Sequence, residues 1–108
     1  MRRGDIITVA GGVDAKKPRP ALVVQDDRFD ATDSLTVCPF TSTTVDAPLL
    51  RVRITADDQN GLDQDSFLMV DKITTVRRSN ARAVVGRLEA TRLVEFERRL
   101  LVFLGFGA

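Results

Sequence analysis

Residues 17–25, Lys17-Pro18-Arg19-Pro20-Ala21-Leu22-Val23-Val24-Gln25, are the stretch on which the reading of the fold turns. A proline ring fixes its own φ and pushes the residue before it towards extended backbone. Pro18 and Pro20 therefore stiffen the chain on both sides of Arg19. Ala21 to Val24 are all apolar and half of them β-branched, which suits a strand buried in a core. Arg19 thus stands at the mouth of a core strand with little conformational freedom to lose. A guanidinium held in this way matches two oxygens of a planar anion, phosphate above all. The same position also suits a surface arginine paired with a carboxylate.

Outward from this strand, the pattern predicts a mainly β chain. Asp5 to Val9 is a first strand, followed by a basic loop up to Pro18. Ala21 to Gln25 is the second strand. A polar connection leads to a third, Leu35 to Pro39, which runs on into Phe40-Thr41-Ser42. From Leu49 to Ile54, Arg51 and Arg53 alternate with Leu50, Val52 and Ile54, the period of a half-buried strand. Asn60-Gly61 is turn chemistry. Phe67–Val70 and Ile73–Val76 form one bent strand or two short ones, and Ala83–Val85 a last one before Gly86. The period then changes. Leu93, Phe96, Leu100 and Phe103 recur at three- and four-residue steps, which predicts the core face of a helix from Glu89 to Phe103, ended by Gly105. No Ser, Asp or Asn marks its start. The expected architecture is a small β-barrel with one C-terminal helix packed on it.

The 108 residues fit a single domain over 1–108, without repeats or a linker. No apolar run approaches the ~20 residues of a membrane span, and the N-terminus lacks the pattern of a signal peptide. One cysteine, Cys38, excludes an internal disulfide, and a cytoplasmic location is expected. In its apolar strand Cys38 is best read as buried packing. Histidine is absent, which removes the commonest metal ligand and the commonest general base. No metal or other cofactor is expected. The net charge of +1 hides a segregation: residues 1–20 carry +3, 21–71 carry −7 and 72–108 carry +5. If the two ends of the chain meet in space, one face is basic, which fits local contact with a nucleic-acid backbone; an ordinary mixed surface is the plainer alternative.

Several fragments then occur in a telling order. Arg3-Gly4-Asp5-Ile6, Arg19-Pro20-Ala21-Leu22-Val23-Val24, Pro39-Phe40-Thr41-Ser42, Asp71-Lys72-Ile73-Thr74-Thr75-Val76 and Gly86-Arg87-Leu88 before a final helix resemble the MazF/Kid/PemK toxins over nearly the whole chain. The resemblance implies an SH3-like barrel, usually a homodimer, acting as the toxin half of a type II toxin–antitoxin pair. It implies metal-independent, sequence-specific cleavage of single-stranded RNA, with a small MazE-like antitoxin as the silencing partner. It places the catalytic arginine on Arg19 and the catalytic threonine on Thr41, and puts Asp71 among the RNA contacts. The loop before Arg19 lacks the Gly-Ser-Glu-Gln type of sequence common in the family, and Ile7 stands where tryptophan is often found. The family's cleavage sequences therefore do not transfer.

RNA supplies its own nucleophile. Attack by a 2′-hydroxyl on the adjacent phosphorus gives a 2′,3′-cyclic phosphate and a 5′-hydroxyl, and a protein assists by aligning that oxygen and neutralising charge on the phosphoryl oxygens. Arg19 suits the second task better than proton abstraction, its reference pKa being above ~12. Thr41 suits hydrogen-bond donation to the same phosphate, or else closes a turn on its own backbone. Ser42 is a neighbouring contact, and Lys16, Lys17, Arg77, Arg78 and Arg82 are candidates for holding the RNA backbone. Asp71 either orients Arg19, meets a base, or pairs with Lys72 or Arg77. Phe40 stacks on a base or belongs to the core. Two competing classes stand beside the nuclease: a non-cleaving, CcdB-like toxin that binds DNA gyrase, and a degenerate member kept as an interaction module.

Overall fold

The computed structural model describes residues 1–10 and 17–107. Among these residues seven strands and one α-helix follow in order: β1 Asp5–Val9, β2 Arg19–Val23, β3 Ser34–Thr41, β4 Arg51–Ile54, β5 Ser66–Met69, β6 Thr74–Arg77, β7 Ala81–Arg87 and α1 Ala90–Leu104. Hydrogen-bonded neighbours run β4-β5-β3-β2-β1-β7, with β6 also on β3, and every pairing is antiparallel. The strand β3 bridges two sheets. Its first half pairs with β6 from Ser34 to Val37, and its end pairs with β5 at Phe40 and Thr41. The sheet curls in the manner expected of a small barrel but stays open, since β4 and β7 at its two ends do not pair.

The strand boundaries differ from expectation where partners decide them. Arg19 and Pro20 join β2 because they face Val9 and Thr8 of β1, and Val24 and Gln25 fall beyond its end. Phe40 and Thr41 are held in β3 by Leu68 and Phe67. A one-turn 3₁₀ helix at Val70–Lys72 separates β5 from β6, so the region is two strands. Most different is β7, seven residues long against three expected, because β1 and its irregular register hold it from Ala81 to Arg87.

Ile6, Leu22, Cys38, Phe40, Val52, Leu68, Val70 and Phe96 form the main core inside the curl. The helix α1 closes the open side, with Phe96 completely buried and Leu93 and Leu100 packed beside it. The face predicted from periodicity ends there: Phe103 is 47% exposed, in a last turn whose Leu101, Val102 and Leu104 are exposed as well, before Gly105 (φ +84°) terminates the helix. Arg3 ties the helix to the sheet, donating to the Val24 carbonyl at 2.6 Å and to Glu97 at 2.5 Å. A second cluster lies on the outer face of the same strands, where Ile7, Ala21, Val23, Leu35 and Val37 pack with Val9, Val76 and Ala81. The strands β1 and β2 are thus buried on both faces, which explains their continuous apolar runs. No helix of the described residues is long and apolar enough to cross a membrane.

Candidate functional site

Two chain segments far apart in sequence meet at one end of the curl. The proline-stiffened approach to β2 brings Lys17 and Arg19, and the end of β3 brings Thr41, Ser42 and Thr43. Together they line a groove of about 320 Å³. Its register is set by the sheet: Ala21 pairs with Pro39, so the residues that precede Ala21 and follow Pro39 lie at the same edge. The loop between β4 and β5 supplies the opposite wall through Gly61, Leu62, Asp63 and Gln64, and Thr8 and Val85 complete the lining.

Arg19 is exposed and its side chain makes no hydrogen bond or ion pair among the described residues, and the same holds for the side chain of Lys17. Two cations therefore border the groove without an ion-pair partner among the described residues, an arrangement that favours a bound anion. Thr41 is half-buried, and its Oγ1 accepts the Thr43 N–H at 3.1 Å. That bond fixes the oxygen by closing a local turn and leaves the hydroxyl proton for a ligand. Both readings of Thr41 hold at once. Phe40 is 7% exposed and belongs to the core, while also bordering the groove.

The remaining predicted residues spread out. Lys16 lies outside the described residues, as does most of the loop before Lys17. Arg77 is exposed at a second hollow of about 510 Å³ on the outer face of the sheet, which Arg19 and Pro20 also border. Arg78 turns the other way: its guanidinium donates to the carbonyls of Thr32 and Phe29 and pins the loop after β2. Arg82 is on the exposed face of β7. Asp71 lines neither hollow. It pairs with Arg51 at 2.6 Å, and Lys72 stands 4.0 Å away. Burial pushes the Asp71 carboxyl up, but the Arg51 hydrogen bond and charge outweigh it and hold the group below the usual range. Cys38 is buried and its thiol is pushed up to about 12 by that burial. Among the described residues no three His, Cys, Asp or Glu side chains gather where a metal ion would sit.

Sequence reasoning missed the wall at residues 61–64. The Asn60-Gly61 turn was legible, but the folding of that turn across the groove depends on a distant contact with β7. A backbone bond from Arg87 N–H to the Gln59 carbonyl, 2.9 Å, makes that contact.

A family model described as PemK-like, MazF-like toxin of type II toxin–antitoxin system matches residues 2–104. The chain is 58% identical, over 99% of both sequences, to a probable endoribonuclease MazF of Mycolicibacterium smegmatis. It is 31% identical, over 96% of both, to the endoribonuclease MazF9 of Mycobacterium tuberculosis. Its fold is similar, with a TM-score of 0.82 at 19% identity, to an endoribonuclease in complex with its cognate antitoxin from a mycobacterial species, covering 100% of this chain and 98% of the other.

Proposed function

The chain belongs to the PemK-like, MazF-like toxin family of type II toxin–antitoxin systems, and from that premise we propose that it is a metal-independent endoribonuclease acting on single-stranded RNA. One observation carries the reading: the Arg19 guanidinium, without a partner among the described residues, and a backbone-fixed hydroxyl, Thr41, line one groove. A phosphodiester laid between them meets both.

The 2′-hydroxyl oxygen bonds to phosphorus as its proton leaves. The bond from phosphorus to the 5′ oxygen breaks, and that oxygen takes up a proton. Charge gathers on the non-bridging oxygens meanwhile. Arg19 stabilises it with two parallel N–H donors, and Thr41 with one O–H donor. Pro18 and Pro20 fix the backbone that carries Arg19 before RNA arrives, which lowers the backbone part of the entropic cost of alignment. Lys17 and Ser42 contact the flanking strand, and Arg77 receives it where it leaves the groove. The partner that silences the protein is a small MazE-like antitoxin whose acidic, flexible segment neutralises Lys17 and Arg19. The toxin works in the cytoplasm as a homodimer, the apolar side chains exposed along α1, Val94, Leu101 and Val102 among them, lying at or near its symmetric contact.

The test is incubation of the purified protein with defined single-stranded RNAs in EDTA. The expected products carry 5′-hydroxyl ends, and Arg19→Ala lowers the rate by roughly 100-fold or more, the scale of a lost transition-state donor. Absence of cleavage across varied RNAs overturns the reading. So does cleavage that a folded Arg19→Ala protein retains.

A further inference from the structure

The wall facing Arg19 is a rigid platform with two unspent polar side chains. Its base is an interlocked turn. Asn60 is 4% exposed; its Oδ1 accepts from the N–H groups of Asp57 and Leu62, both at 3.1 Å, and its Nδ2 donates to the Thr55 carbonyl at 2.8 Å. On the far side, Asp65 accepts the Ala56 N–H at 2.9 Å and pairs with Arg53 at 3.2 Å. Asp63 and Gln64 stand between these two anchors. Both are exposed, both line the groove, and neither side chain has a hydrogen-bond or ion-pair partner among the described residues. A fixed backbone carrying free acceptors and donors opposite a cationic wall is the layout for reading a base while the phosphate is gripped.

Resting on the nuclease reading above, we propose that Asp63 and Gln64 determine which base is accepted beside the cut, and that the base is guanine. A carboxylate offers acceptors only. Guanine alone among the four bases presents two adjacent donors, N1–H and N2–H, on its Watson–Crick edge, which meet the two oxygens of one carboxylate. The neighbouring acceptor O6 then meets the Gln64 amide N–H. Uracil and cytosine offer one donor group on that edge, and adenine sets an acceptor where guanine has N1–H. Each of these leaves Asp63 desolvated without a full set of partners, which costs more than a missing contact.

The test cleaves a pool of single-stranded RNA, randomised in sequence, with the purified full chain and sequences the 5′-hydroxyl ends. The expected profile has guanine enriched at one fixed position near the cut. Asp63→Asn, which exchanges an acceptor for a donor, lowers that enrichment by about tenfold, the scale of one lost bidentate contact. Gln64→Ala weakens the same position, and Asp58→Asn in the adjoining turn leaves the profile as it is. A pool left uncut by the unaltered protein overturns the nuclease reading and this inference with it. Cutting with no guanine preference, or with one that Asp63→Asn does not move, overturns this inference alone.

Discussion

Arg51 keeps only 10% of its side chain exposed, and Asp71 answers its charge at 2.6 Å. The charge was taken out of water on the condition that this partner is present. Removing the partner leaves a nearly buried guanidinium uncompensated, which is far worse than losing both groups together. Asp71→Ala is therefore expected to lower stability by about 2 kcal/mol, below the range for wholly buried pairs because Asp71 is partly open to solvent. Urea unfolding of Asp71→Ala beside Arg51→Met/Asp71→Ala checks this: the double variant should recover much of the loss. The sequence left Asp71 open between a place at the site and an ion pair, with Lys72 or Arg77 named as partner. Its main partner proved to be Arg51, 20 residues away, brought opposite by the β4–β5 register of Arg51 with Met69. Residue types do not carry that kind of information; register does. The meeting of Arg19 and Thr41 was legible through the family resemblance rather than from either segment alone, and the groove lining holds both with Lys17 and Ser42. Asp63 was not, since nothing near it in sequence says which surface it faces.

At the scale of elements, the open barrel is closed by contact rather than by pairing. The turn at Asn60-Gly61 lies against β7 so tightly that side chains have no room on either side. A Cβ on Gly86 would stand 2.3 Å from the Asn60 carbonyl carbon and 2.4 Å from the Gln59 oxygen. A Cβ on Gly61, whose φ is +68°, would stand 2.0 Å from the Val85 oxygen. These obstacles are backbone atoms and cannot swing aside. Gly86→Ala must therefore separate the turn from β7, strain the Arg87–Gln59 backbone bond between them, and shift the groove wall with it. The expected cost is about 3 kcal/mol, the upper range for overpacking a tight site. Chemical denaturation measures it, and faster exchange of the Arg87 amide localises it. The order and type of the elements had been readable from periodicity and turn residues. The full length of β7 had not, since only β1 extends it, and the outer apolar cluster had not, since alternation cannot distinguish one buried face from two.

For the molecule as a whole, the pairing of β1 with β7 brings the two positively charged ends of the sequence together, as the segregation of charge allowed. The same charges set how stability depends on pH. Asp65 is held below the ordinary carboxylate value by the Ala56 N–H and by Arg53, Asp26 by the Arg28 N–H and side chain, and Asp71 by Arg51 against its burial. A group with a depressed folded pKa takes up its proton more readily when unfolded, so its stabilisation is present above the unfolded value near ~4 and is lost as pH falls through the folded one. Cys38 acts at the other end with the opposite sign. Its thiol ionises near 9.0 when exposed but at about 12 in the core. Above pH 9.0 the unfolded chain gives up a proton that the folded one keeps, and stability declines until about pH 12. Between these limits no histidine titrates. Urea midpoints measured across pH should therefore show a plateau from about pH 5 to 8, a fall on the acid side below about pH 4, and a second fall above about pH 9. Cys38→Ala should flatten the alkaline limb while lowering the plateau by about 1 kcal/mol for the lost sulfur contacts. An alkaline limb that survives the substitution unchanged would assign it to other groups.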